Sequence, residues 1–210
     1  MDGSTISDVT LASHFGSGGK IGPNSVTQLG ETVIARLGRE AAQALYSEAR
    51  VPHLLDDPPQ TMIDEAVPAT LFAALWDLFP QNAAPIAEEA GYRTADYIIA
   101  RRIPRLAQVL LRIAPRAQAA RMLLKAIGQH AWTFAGSGQC DIQPGRRTHL
   151  ISIRDNPLEM PDCVWHRAVL ARLFERLVSP AAEVRHLICC GEGGAACQFE
   201  ITLQKAQTRR

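Results

Sequence analysis

Val184-Arg-His-Leu-Ile-Cys-Cys190 and Cys197-Gln-Phe-Glu-Ile-Thr-Leu203, joined by Gly191-Glu-Gly-Gly-Ala-Ala196, decide the fold. The second segment alternates apolar and polar residues, and both are rich in β-formers on either side of a glycine-rich turn, so they predict two paired strands. Gly191-Glu-Gly193-Gly-Ala-Ala196 also matches the spacing of a dinucleotide-binding fingerprint. That motif requires a helix after its glycines, and here a strand follows, so the glycines read as a tight turn. With that reading goes the only nicotinamide or flavin site visible in the sequence.

Working outward, residues from about Asp162 to Val178 carry a helical pattern, with Asp162 as N-cap. Before them, Cys140-Asp-Ile-Gln143 and His149-Leu-Ile-Ser-Ile153 flank Pro144-Gly145-Arg146-Arg147, the pattern of a β-hairpin. The C-terminal half is therefore β-β-α-β-β, an α+β fold with a four-stranded antiparallel sheet.

Upstream the pattern is helical. Pro23-Asn24-Ser25 opens a helix carrying Val26, Leu29, Val33, Leu37, Ala41 and Ala44, which reaches about Arg50. Pro52, Asp56-Asp57 and Pro58-Pro59 make a loop. Helices follow over about 61–66, 69–79 and 83–102, then from Pro104 to about Ile113 and from Pro115 to about Phe134. Residues 1–22 are Gly/Ser/Thr-rich and read as a flexible arm. Gly16-Ser-Gly-Gly-Lys20 is no phosphate loop, because His14 and Ile21 stand where that motif needs Gly and Ser or Thr. The expected organisation is an arm, 1–22, and a single domain, 23–210, helical over 23–136 and α+β over 137–210.

Composition bounds the function. Lys and Arg number 22 against 21 Asp and Glu, so no overall field recruits nucleic acid. No apolar run is long enough to span a membrane. The first twenty residues lack a basic region followed by an apolar block, so no secretory signal is expected. Five cysteines without export fit reduced thiols or a metal in a cytoplasm better than a disulfide frame.

Three groups of residues can carry chemistry. Cys163, His186, Cys189 and Cys197 are four soft ligands, the number that a closed tetrahedral zinc site needs. Cysteines also serve as small core residues, and Cys189-Cys190 also fits plain strand filling. Gln129-His130-Ala-Trp132-Thr-Phe134 and Trp165-His166 can line an apolar cavity with a few polar points, or simply pack the core. Arg93 to Lys125 holds seven arginines and one lysine against Asp96 alone. Arg101, Arg102, Arg105, Arg112 and Arg116 suit a solvated face, an acidic partner or the carboxylates of a ligand.

Gly19-Lys-Ile-Gly-Pro-Asn24, Arg93-Thr-Ala-Asp-Tyr-Ile-Ile-Ala-Arg-Arg-Ile-Pro104 and Gln129-His-Ala-Trp-Thr-Phe-Ala-Gly-Ser-Gly138 resemble the small 4-vinyl reductase family of bacteriochlorophyll biosynthesis. Cys163, Cys189 and Cys197-Gln-Phe199 resemble the wider 4-vinyl-reductase domain. The resemblance covers nearly the whole chain after the arm. It implies a fold similar to the small subunits of the TRAPP tethering complex and to the sensor domains of phenol-responsive activators. It also implies a structural zinc on Cys163, His186, Cys189 and Cys197, with His186 standing where the family pattern has Glu. Residues three apart on a regular strand face opposite ways, so His186 and Cys189 need a bulge or a strand end between them.

The family name implies reduction of the 8-vinyl group of a chlorophyll precursor, yet no hydride-donor site is legible. The preferred expectation is a carrier that binds a Mg-tetrapyrrole and presents it to pathway enzymes such as Mg-chelatase or the following methyltransferase. His130, Trp132, Phe134, Trp165 and His166 would supply the slot and an axial imidazole, and Arg101 and Arg105 would meet the macrocycle's carboxylates. A true vinyl reductase and a pigment-free interaction module are the alternatives, and a homodimer is expected by analogy.

Overall fold

The computed structural model describes residues 18–204, so residues 1–17 of the expected arm lie outside the described residues, as does the start of the Gly16–Lys20 run. The arm's last residues form β1 (Lys20–Ile21), which pairs antiparallel with β2 (Ile63–Asp64). This pairing replaces the short helix expected over 61–66. Ile21 is buried, and the strand pair gives its backbone hydrogen-bond partners there.

The single helix expected from Pro23 to about Arg50 is two helices. α1 (Asn24–Leu37) and α2 (Arg39–Glu48) meet at Gly38, whose φ of 90° is open to glycine and strained for other residues. The apolar spacing runs on through the break, which is why periodicity alone joins them. A short helix, α3 (His53–Asp56), sits in the proline loop, followed by α4 (Ala66–Leu78) and α5 (Ala83–Arg101). Pro104 and Pro115 directly precede α6 (Arg105–Ile113) and α7 (Arg116–Gln129), where a missing N–H costs no helical bond. The helix expected to reach Phe134 stops at Gln129 and resumes as the single turn α8 (Trp132–Ala135).

The C-terminal half is β3 (Gln139–Gln143), β4 (Thr148–Arg154), α9 (Val164–Leu177), β5 (Ala182–Ile188) and β6 (Cys197–Leu203). The four strands form one antiparallel sheet in the order β3-β4-β6-β5. Ile151 and Ile153 on β4, and Cys197, Phe199 and Ile201 on β6, are buried with Leu170, Leu173, Phe174 and Leu177 of α9. α9 is thus the layer between the sheet and the helices.

α5 runs beside α9 in the same direction. Glu88 pairs with Arg167 at 3.2 Å, and Asp96 accepts two bonds from Arg172 at 3.0 Å. Between these pairs Gly91 lets the helices touch: a Cβ there would lie 2.7 Å from both Ala168 Cβ and the Trp165 carbonyl oxygen. Asp162 does not cap α9 as expected. It and Cys163 take left-handed φ values of 56° and 41° in a single 3-10 turn, Pro161–Cys163, and the helix starts at Val164. Each such residue costs about 1 kcal/mol or more, and the double step sets Cys163 against the sheet.

Candidate functional site

The turn before α9 and the β5–β6 connection bring four thiols together. Cys163 Sγ is 3.1 Å from Cys197 Sγ and 3.7 Å from Cys189 Sγ. These three side chains are buried, and their sulfurs all lie within 4.8 Å of one another. Cys190 Sγ reaches Cys197 Sγ at 3.3 Å, and Asn156 Nδ2 donates to Cys197 Sγ at 3.3 Å. All of these cysteines are free thiols. A tetrahedral ion bonded to sulfur at about 2.3 Å holds its ligands about 3.8 Å apart. The observed spacings need only slight expansion to match, so the three-sulfur group can hold a metal ion.

Charge in the cluster falls on one sulfur. The hydrogen bond from the Cys163 thiol, helped by the Asn156 amide, pulls Cys197 down to about 4. The same hydrogen bond, with burial, pushes Cys163 up. Burial raises Cys189 and Cys190. A thiolate on Cys197 flanked by thiol donors is the charge pattern that a soft cation exploits.

His186 lies opposite Phe199 in the β5–β6 ladder, with ring centroids 5.4 Å apart. The register shifts between His186 and Ile188, which is the irregularity that its spacing to Cys189 requires. His186 is not among the three sulfur ligands' close group, but its Nε2 is buried without a hydrogen-bond partner.

Beside the thiols is an aromatic cluster. His166 is buried, with its ring 4.9 Å from Trp165, 6.1 Å from Phe199 and 6.3 Å from Phe134. Trp165 in turn packs on Phe72. His166 Nε2 lies 3.4 Å from the Phe134 carbonyl oxygen, whereas His166 Nδ1 and Trp165 Nε1 have no partner. Buried polar atoms normally find one.

Burial drags His166 from 6.5 to about 4. As pH falls below 6.5 the unfolded chain takes up a proton that the folded imidazole refuses, so stability drains between pH 6.5 and 4. The gap is worth about 3 kcal/mol by its end. Denaturant melts over this range should show that loss, and His166→Gln should flatten it; equal slopes in both proteins would refute the assignment.

The remaining candidates lie apart from this cluster. Trp132 is 56% exposed, and His130 is exposed at the end of α7. Arg101 and Arg105 are exposed too. Arg101 is about ten residues, roughly 15 Å of helix rise, beyond the Gly91 contact with Trp165. An open cleft of about 730 Å³ lined by Arg121, Arg146 and Arg147 holds none of the aromatic residues. Asn156 and Cys190 join the thiols without having been legible as ligand or support. The Asn156-Pro157 turn a few residues before Cys163, and the doublet Cys189-Cys190 at a strand end, are the signals that point to them.

A 4-vinyl-reductase domain model matches residues 156–203, the span from Asn156 to the end of β6. The bacteriochlorophyll synthase 23 kDa chain of Cereibacter sphaeroides is 42% identical over 188 residues, covering 87% of this chain and 90% of that one. The chain of the same name from Rhodobacter capsulatus is 36% identical over 187 residues, covering 87% and 86%. Among solved structures, an Fe(II) unliganded H-NOX protein mutant from K. algicida superposes with a TM-score of 0.64 at 10% identity, over 90% of this chain and all 100% of that one. A structure probing the function of heme distortion in the H-NOX family gives 0.59 at 10% identity, over 88% and 96%. Identities that low speak for the fold alone, an α+β architecture shared with H-NOX proteins. Identity along nearly the full length of both 23 kDa chains speaks for more: the chain belongs to their family, whose 4-vinyl-reductase domain here carries the thiol cluster.

Proposed function

We propose that this protein serves bacteriochlorophyll biosynthesis by binding a Mg-tetrapyrrole precursor and presenting it to pathway enzymes. The observation that carries the reading is the buried set His166, Trp165, Phe134, Phe72 and Phe199, in which one imidazole and one indole nitrogen lack partners. Such a set is a flat apolar surround with polar points, the chemistry that a macrocycle with a central cation selects. The family's printed link to bacteriochlorophyll synthase and the fold's occurrence in H-NOX proteins studied for heme distortion support it. Exposed His130 and Trp132 stand on α7 and α8, next to Phe134, where a ligand would approach.

In the same reading a structural zinc sits on Cys163, Cys189 and Cys197 with His186 as fourth ligand. It would tie the turn before α9 to the β5–β6 connection and so fix the floor under Phe199. Cys190 competes for the fourth place, because its sulfur is already 3.3 Å from Cys197. Metal analysis of His186→Ala and Cys190→Ser decides between them, since only loss of the true ligand lowers the metal-to-protein ratio.

The test of function is a titration with a divinyl Mg-tetrapyrrole, followed by chromatography of the pigment with and without NADPH. The expected result is a shifted Soret band with unchanged pigment, and affinity lowered about tenfold or more in His166→Leu. NADPH-dependent monovinyl product would make the protein a reductase instead. An unshifted band would sink pigment binding and leave an interaction module.

A further inference from the structure

α6 wears its apolar side outward. Leu106 is 72% exposed, Val109 49%, Leu110 44% and Ile113 73%. They fall at i, i+3, i+4 and i+7, one stripe about 100° wide. The opposite side is anchored: Leu111 is buried, and Gln108 Nε2 donates to the carbonyls of Ile99 and Ile103. The outward stripe is therefore fixed by the fold and is not a helix turned the wrong way.

Cations surround it. Arg101 and Arg102 precede the helix, Arg105 and Arg112 flank the stripe, and Arg116 follows Pro115. All five are exposed, and among the described residues none has a carboxylate within ion-pair distance. Arg112 and Arg116 instead donate to the carbonyls of Arg176 and Gln204, which leaves their charge uncompensated.

We propose that α6 is an interfacial docking helix that seats the protein reversibly on an anionic lipid surface. A short convex helix with an aliphatic stripe and arginines at its margins suits the boundary between acyl chains and headgroups. Leucine and isoleucine enter the apolar layer while guanidinium groups reach lipid phosphates. Two other occupants fit less well. A second copy laid stripe to stripe would bring two full sets of these arginines together with no carboxylate between them. A stable protein interface takes about 800 Å² from each partner, more than four side chains on one nine-residue helix offer.

The experiment is flotation of the full-length protein with vesicles of phosphatidylcholine alone and of phosphatidylcholine with an equal part of phosphatidylglycerol, alongside sedimentation velocity without lipid. Flotation with the mixed vesicles only, falling with salt, is the expected result. Leu106→Ser with Ile113→Ser should cut the bound fraction about tenfold. Arg102→Gln with Arg105→Gln should weaken binding roughly fivefold per arginine. Both variants alter exposed side chains, and unchanged circular dichroism and thermal melting verify their fold. The proposal is overturned by absence of flotation, by flotation that survives the loss of Leu106 and Ile113, or by a dimer that those substitutions dissociate.

Discussion

Cys197→Ser will strip the bound metal from the purified protein and lower its unfolding midpoint by about 10 °C or more, while Cys140→Ser will do neither. Cys197 is the hub of the cluster: its sulfur meets Cys163 at 3.1 Å, Cys190 at 3.3 Å and the Asn156 amide at 3.3 Å. It is also the sulfur that carries the negative charge. Cys140 is a half-buried thiol on β3, outside the group, with its pKa raised by burial to about 11. A serine at 197 offers a harder, neutral oxygen to a soft cation, so affinity falls steeply. Binding energy at such a site is folding energy. In a chain of this size each kcal/mol moves the midpoint by about 2–4 °C. Asn156→Ala should fall between the two, because it removes an N–H donor to the thiolate without removing a ligand. Equal metal stoichiometry in Cys197→Ser and the parent would eliminate the metal site.

The sequence carries the sheet well and the cluster only in part, for separable reasons. Alternation over Cys197–Leu203 and the turns at Pro144-Gly145 and Gly191–Gly194 define strands locally, so both hairpins are legible without tertiary information. Cys163, Cys189 and Cys197 stand out because thiols are few and chemically distinct. Asn156 does not stand out, since an amide that supports a sulfur looks like any turn residue until the fold closes. Cys190 is hidden by a strand rule: neighbours on a strand point to opposite faces. β5 ends at Ile188, and Cys190 already belongs to the following turn, so its sulfur swings toward Cys197. Gly38 and the Ile63–Asp64 strand fail for the complementary reason, because a left-handed φ and a two-residue bridge leave no periodic trace. The arginine run shows the limit from the other side. Its charge is plain in the sequence, but that α6 points aliphatic residues at solvent is visible only once Leu111 and Gln108 are seen to hold the opposite face.

Gly91 gives the sharpest contrast between local and tertiary logic. In the middle of a nineteen-residue helix, alanine is intrinsically preferred over glycine by about 1 kcal/mol. Propensity alone therefore makes Gly91→Ala stabilising. Packing reverses the sign. The new methyl would sit 2.7 Å from Ala168 Cβ and 2.7 Å from the Trp165 carbonyl oxygen. Neither obstacle is the loose end of a side chain, so α5 and α9 must move apart. That separation strains the Glu88–Arg167 and Asp96–Arg172 pairs and loosens Trp165 against Phe72. We expect Gly91→Ala to cost about 1–3 kcal/mol and Gly91→Leu to prevent stable folding. Gly128→Ala is the internal control: its methyl would meet only the terminal Cδ1 of Ile142, at 3.2 Å, which can rotate away. It should be neutral or mildly stabilising. Urea melts of the three variants measure this directly, and a Gly91→Ala protein at least as stable as its parent would show that the α5–α9 contact is slack. Because Trp165 is both the neighbour of Gly91 and the wall of the aromatic cluster, Gly91→Ala should also weaken pigment binding, whereas Gly128→Ala should leave it unchanged.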